Sequence, residues 1–223
     1  MTHDIESNGY SSNPFATRFV SSGRLRFIGL DEGALDQLAE TLIQQNGNGQ
    51  IVGPHGVGKT TLTYELENRI AECSVVNTPF NFVRKTIGPR GAIRSVDGSR
   101  MLVLDDDEFP ANQSASTQTV LVLDGYERLS WFQRIAVLKT CQRRRIGLLV
   151  TSHRVVWGVP KLVSLEPDIE RFTSVVEALT ADCEFELSSE RLSQVFLENR
   201  GNVREALMSC YDEFEASRAR TAC

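Results

Sequence analysis

The stretch Gly53-Pro54-His55-Gly56-Val57-Gly58-Lys59-Thr60-Thr61 decides how this chain is read. A glycine, four residues and then Gly-Lys-Thr form a loop that curls through positive φ and turns its backbone N–H groups inward, where they cradle phosphate oxygens. Pro54, His55 and Val57 are the variable positions of that cradle. Lys59 reaches toward the β- and γ-phosphates of a bound triphosphate, Thr60 offers its hydroxyl to a bridging Mg²⁺, and Thr61 lies by the inner phosphates. The helix that begins here adds the partial positive charge of its N-terminus.

The flanks agree with this reading. Gln50-Ile51-Val52 is a short apolar strand, and residues 61–72 place Leu62, Leu66, Arg69 and Ile70 along one helical stripe. Strand, loop and helix are the context the motif requires. The stretch resembles the Walker A motif of the P-loop NTPases, which implies an α/β fold: a three-layer core with a mostly parallel sheet, ATP as ligand and Mg²⁺ as cofactor.

On the N-terminal side, residues 31–45 form an amphipathic helix with Leu35, Leu38, Ala39 and Leu42 on one face, ended by Asn46-Gly47-Asn48-Gly49. Arg24-Leu25-Arg26-Phe27-Ile28 reads as an extended piece, and the resemblance implies that such a segment packs near the adenine. Residues 1–22 are rich in Ser, Asn and Gly and are expected to be a flexible arm, with Asn13-Pro14-Phe15 available as an anchor.

On the C-terminal side, residues 74–77 read as a second strand and residues 81–87 alternate as a strand does, before a turn at Gly88-Pro89-Arg90-Gly91. Two apolar runs then end in carboxylates. One is Met101-Leu102-Val103-Leu104 entering Asp105-Asp106-Asp107-Glu108; the other is Thr119-Val120-Leu121-Val122-Leu123 entering Asp124. The second suits a strand buried on both faces, with Asp124 at the C-terminal sheet edge where ligands of open α/β sheets collect. It also continues into a helix over 130–145 and a buried strand over 146–150, completing a βαβ unit. Asp124 therefore resembles the Walker B aspartate, which orients the Mg²⁺ shell, and the acidic run at 105–108 reads as a solvated hairpin end.

The strand over 146–150 leaves through Thr151-Ser152-His153-Arg154. ATPases of the additional-strand class place a polar residue at this tip to contact the γ-phosphate or attacking water, and Thr151 and Ser152 match it, with Ser152 taken as the contact. An ordinary polar strand exit is the equal alternative. Residues 161–165 supply a fifth strand, and residues 168–180, 188–199 and 202–217 read as helices. Gly201 to Leu207 resembles the start of the helix that carries the second sensor arginine in AAA+ lids, which implies Arg204 as a nucleotide contact. The expected organisation is an arm over 1–22, a nucleotide-binding core over 23–165 and a helical lid over 166–223.

The resemblance to AAA+ and signal-transduction ATPases spans about residues 47–217 and implies a Mg²⁺-dependent ATPase that couples nucleotide state to lid movement or partner binding. One departure weakens the hydrolytic part. Related ATPases place a catalytic glutamate directly after the Walker B aspartate, whereas this chain has Gly125 there and its nearest glutamate is Glu127. A general base must lie within hydrogen-bond reach of its water. Glu127 serves only if the chain turns sharply at Gly125, and an ATP-dependent switch with little or no hydrolysis stands as the alternative. A P-loop small-molecule kinase is less favoured, because the basic cluster Arg143-Arg144-Arg145 sits at a helix end away from the phosphates. A GTPase is disfavoured by the absence of an Asn-Lys-x-Asp motif.

Composition sets outer bounds. The 223 residues carry a net charge of −5, so nucleic acid is not indicated as a partner. The 5 cysteines are scattered without a Cys-x-x-Cys pair, and no metal site of protein ligands alone is proposed. With no apolar run of about 18 residues and a polar N-terminus, a cytoplasmic protein without a membrane span is expected. AAA+ likeness also implies a protein partner or a homo-oligomer, with an arginine such as Arg128, Arg134, Arg171 or Arg200 completing a neighbouring site.

Overall fold

The computed structural model describes residues 12–21, 23–72, 79–88, 92–95, 100–101, 117–183 and 185–221. Its centre is a seven-stranded sheet built from β1 (Gly49–Val52), β2 (Phe80–Ile87), β3 (Ile93–Ser95), β4 (Arg100–Met101), β5 (Gln118–Asp124), β6 (Gly147–Ser152) and β7 (Lys161–Ser164), in the spatial order β4-β3-β2-β5-β6-β1-β7. The five strands from β2 to β7 in that order run parallel, and β3 and β4 add an antiparallel edge. The sheet is thus mostly parallel and the fold is α/β. The strand expected over 74–77 and the acidic run at 105–108 lie outside the described residues, and the strand beside β5 is β2.

Apolar alternation along β5 builds the layers. Val120 and Val122 face α2 (Glu32–Gln44) and α3 (Lys59–Glu72), packing with Leu35, Leu42, Leu62 and Leu66. Leu121 and Leu123 face the other way, with Val137 and Cys141 of α4 (Trp131–Arg144) and the ring of Tyr126. A strand covered on both faces must be apolar at successive positions, which is why Val120 through Leu123 are all at 0% exposure. Burial also pushes the Tyr126 hydroxyl and the Cys141 thiol up to about 12. Ser130 starts α4 with a reciprocal capping box to Gln133.

The C-terminal helices α5 (Ile169–Thr180), α6 (Ser189–Glu198) and α7 (Val203–Thr221) enclose a separate apolar cluster around Phe172, Val195 and Phe214. Asp168 caps α5 by accepting from the amides of Glu170 and Arg171, and Ser188 caps α6 by accepting from Arg191. The arm expected to be flexible is seated on these helices over residues 12–21. Asn13 donates through Nδ2 to the Tyr211 carbonyl at 3.1 Å and to Glu215 Oε1 at 2.8 Å. Phe15, 1% exposed, meets Phe185 edge-on with centroids 6.1 Å apart. The short helix α1 (Thr17–Val20) follows. Two polar anchors and a buried ring outweigh the polar composition of the segment. Among the described residues no helix is long and apolar enough to cross a membrane.

Because the Phe15 ring joins this cluster, Phe15→Ala should lower stability by about 3 kcal/mol. Urea unfolding measures this, and an unchanged midpoint would show that the N-terminal segment contributes nothing to the helical cluster.

Candidate nucleotide site

Parallel pairing brings three strand ends together. Val52 is in register with Ser152, and Leu123 with Val150, so β1, β6 and β5 all open onto the same edge. The loop from Gly53 to Gly58 leaves β1 there and runs directly into α3, which begins at Lys59. Gly56 has a φ of 76°, and a Cβ at that position would come within 1.8 Å of Asn202 Oδ1. Only glycine satisfies both conditions.

Lys59 extends back along the loop, its Nζ donating to the carbonyls of Gly53 at 2.7 Å and Pro54 at 2.6 Å. Burial lowers its pKa, while the nearby carboxylates of Glu127 and Asp124 raise it. Next to it, Thr60 Oγ1 donates to Asp124 Oδ2 at 3.2 Å. The other oxygen of Asp124 accepts from Thr151 Oγ1, which in turn accepts from the Gly125 amide at 3.1 Å. Threonines from α3 and β6 therefore fix the Asp124 carboxylate from two sides.

Thr60 and Asp124 suit a hard cation. Adjacent ligands in an octahedral Mg²⁺ shell lie about 2.9 Å apart for metal–oxygen distances of about 2.1 Å, close to the 3.2 Å separating these two oxygens. Among the described residues no group of three His, Cys, Asp or Glu side chains forms a metal site. A Mg²⁺ ion here would take its other ligands from phosphate and water.

Gly125 redirects the chain after Asp124. With φ 79° and ψ 38° it adopts the left-handed conformation, and Tyr126–Arg128 follow as a single 3₁₀ turn. The turn is held by Arg134, whose guanidinium donates to the carbonyls of Glu127 at 2.7 Å and Leu129 at 3.0 Å. Arg128 Nη1 donates to the Ile87 carbonyl at 3.0 Å. The result returns the Glu127 side chain to the loop. Its Oε1 lies 3.4 Å from Nδ1 of His153, and its Oε2 is buried with no hydrogen-bond partner among the described residues.

The remaining expected residues fall in different places. Thr151 is the member of the strand-tip pair that faces Asp124; Ser152 is fully buried and donates to the Arg154 carbonyl at 2.8 Å. Arg204 is exposed near the start of α7, and its backbone nitrogen lies 3.3 Å from where a Gly56 Cβ would be. Arg143 to Arg145 lie at the opposite sheet edge: the Arg145 carbonyl accepts from Gln118, at the start of β5, whereas Asp124 ends that strand. Arg200, in the left-handed region at φ 54°, sits just past the end of α6.

A cavity of about 690 Å³ joins these groups. Its lining includes His55 to Thr61, Asp124, Glu127, Thr151 and His153 together with Leu25, Phe27, Val175 and Leu207. A cavity of this size, lined by both polar and apolar side chains, is within the range of small-ligand sites. Sequence reasoning gave no place in the site to Arg171 and His153. Arg171 reaches in from α5, donating through Nη1 to the Val57 carbonyl at 3.4 Å, with its guanidinium 5.4 Å from the Phe27 ring centroid. No local pattern marks either residue, because each acquires its position only through packing.

The strand order places two parallel strands between β2 and the loop strand β1, with the phosphate loop, Asp124 and C-terminal helices at one edge, and this arrangement matches the AAA+ fold. No family model matches the sequence, and no curated protein matches it. The structure is nevertheless similar to solved ones. Cdc6p from Pyrobaculum aerophilum superposes with a TM-score of 0.62 at 16% identity, covering 95% of this chain and 67% of that one. Drosophila ORC bound to DNA gives 0.64 at 15% identity, over 99% of this chain and 65% of that one. A point variant of Thermotoga maritima RuvB gives 0.51 at 14% identity, over 79% of this chain and 58% of that one. The chain spans about two thirds of the length of the first two, and at such identities the likeness is one of fold.

Gly56→Ala should cost about 1–3 kcal/mol, because the new methyl meets Asn202 and the residue must hold positive φ. Chemical denaturation measures it, and a neutral result would show that the C-terminal helices are not seated on the loop.

Proposed function

We propose that this chain binds Mg²⁺-ATP in the cavity and hydrolyses it to ADP and phosphate, with a core over 23–165 and a lid over 166–223 whose position follows the nucleotide. The observation that carries the reading is a set of three groups lining the cavity: Lys59 on the loop, the Thr60–Asp124 pair, and Glu127, whose Oε2 has no hydrogen-bond partner among the described residues. The AAA+ fold supports nucleotide binding in general.

Each group has a task. The inward N–H groups of the loop and the N-terminus of α3 hold the phosphate oxygens. Lys59 exchanges its two carbonyl partners for the β- and γ-phosphates. Thr60 and Asp124 would hold Mg²⁺, which when bound would neutralise phosphate charge. Glu127 Oε2 accepts a proton from water as its oxygen bonds to the γ-phosphorus, and the bond from that phosphorus to the β–γ bridging oxygen breaks. Arg204, at the lid edge of the cavity, is positioned to contact the nucleotide once it is bound. Ser152 is the weaker of the two strand-tip candidates, since Thr151 lines the cavity and Ser152 turns its hydroxyl to the Arg154 carbonyl instead. Leu25, Phe27, Val175 and Leu207 form the wall against which an adenine packs.

A second reading, an ATP-dependent switch with little turnover, is favoured by the displacement of Glu127 three positions beyond Asp124. The Drosophila protein of similar fold is bound to DNA, but the net charge of −5 gives no support for carrying that partner over. A protein partner or a second copy of the chain is the better candidate for what the lid moves. Buried free thiols at Cys141 and Cys210 fit a cytoplasmic setting.

Binding and hydrolysis separate in two variants. At a ligand concentration of about 100 times Kd the wild type should gain about 2.7 kcal/mol, and Lys59→Ala should lose the associated rise in Tm; an equal rise in the mutant removes the loop as the binding site. Glu127→Gln should keep that rise and slow phosphate release by about 10²- to 10⁴-fold. Equal turnover in both proteins would exclude Glu127 as the base.

A further inference from the structure

Two histidines converge beside Glu127. His55 belongs to the phosphate loop and His153 to the exit of β6, and their rings meet edge-on with centroids 3.7 Å apart. His153 Nδ1 is 3.4 Å from Glu127 Oε1, with the two side chains only 28% and 23% exposed. The carboxylate is thus divided: one oxygen faces an imidazole, and Oε2 is buried without a partner among the described residues. A general base needs one oxygen free for water and a fixed orientation for the other. Nothing on the 3₁₀ turn supplies that orientation, since the Arg134 contact goes to the Glu127 backbone.

We infer that His153 is the positioning residue of Glu127, gripping Oε1 so that Oε2 is presented to the attacking water, with His55 bracing the imidazole from the phosphate loop. This rests on Glu127 being the base. Three observations carry it: the 3.4 Å contact, the ring packing that limits rotation of the imidazole, and the orphaned oxygen on the far side. The charge environment agrees. Burial lowers the His153 pKa, Glu127 raises it, and Lys59, His55 and Arg128 lower it further, which favours the neutral ring at physiological pH. A neutral ring has a single N–H, and the tautomer that carries it on Nδ1 is the one able to donate to Glu127. His153 then orients Glu127 without neutralising it as an imidazolium would. Because His55 is part of the loop that receives the phosphates, the brace also links phosphate binding to the placement of the base.

The inference separates from a structural role in a double-mutant cycle on the full chain, with kcat at saturating Mg²⁺-ATP and Kd from calorimetric titration of a non-hydrolysable ATP analogue. His153→Ala should lower kcat by on the order of tenfold or more while Kd stays within about threefold. His153→Asn, whose side-chain amide puts an N–H close to the Nδ1 position, should restore most of the loss. In a Glu127→Gln background, His153→Ala should have no further effect, because a residue acting through another has nothing left to position. Multiplied losses in the double mutant, a fall in affinity that accounts for the fall in kcat, or an Asn variant as slow as Ala would each overturn the role of His153 while leaving Glu127 as base. Wild-type turnover in Glu127→Gln, or no turnover in the wild type, would overturn the hydrolytic reading and this inference together.

Discussion

The Asp124 carboxylate, held between two threonine hydroxyls, is the constraint on which the site depends. Thr60 approaches from the first turn of α3 and Thr151 from the tip of β6, so one side chain ties the phosphate loop, its helix and two parallel strands into a single arrangement. The geometry requires β5 and β6 to be neighbours and β1 to lie just beyond, which is what the parallel pairing provides. The apolar alternation of β5 fixes the same strand to helices on both faces, so its position is set by the core before any ligand arrives. A carboxylate fixed in this way needs no rearrangement to receive a cation.

Beyond Asp124 the chain makes a second decisive choice at Gly125. A left-handed residue there turns the backbone so that the glutamate at position 127 comes back toward the loop. The site also extends beyond the sheet. Asn202 and the start of α7 press on Gly56, while Arg171 spans from α5 to the Val57 carbonyl and the Phe27 ring. Loop, N-terminal segment and C-terminal helices therefore share contacts.

How much of this was legible in the sequence follows from the range of the interactions involved. The loop motif and β5 were readable because each is local: glycine spacing in one case, an unbroken apolar run ending in Asp in the other. The sharp turn was readable as a requirement, because glycine marks a residue free to take positive φ. The strand tip was readable only to within one position. Leu149 and Thr151 share one face of β6, Val150 and Ser152 the other, and which face meets Asp124 depends on how the sheet packs. Asn13-Pro14-Phe15 was readable as an available anchor, but what it docks on was not. Asn13 meets Tyr211 across 198 residues, and the partners of the buried Phe15 lie at the far end of the chain. His153 and Arg171 escaped for the same reason: each is an ordinary polar residue until the fold brings another element against it.

The most direct test is a crystal structure with Mg²⁺ and a non-hydrolysable ATP analogue. The phosphates should lie against the backbone amides of residues 56–60, Lys59 Nζ should leave the Gly53 and Pro54 carbonyls for phosphate oxygens, Mg²⁺ should sit between Thr60 and Asp124, and a water should rest on Glu127 Oε2. An analogue bound elsewhere, or a Lys59 that keeps both carbonyl partners beside a bound triphosphate, would contradict this arrangement.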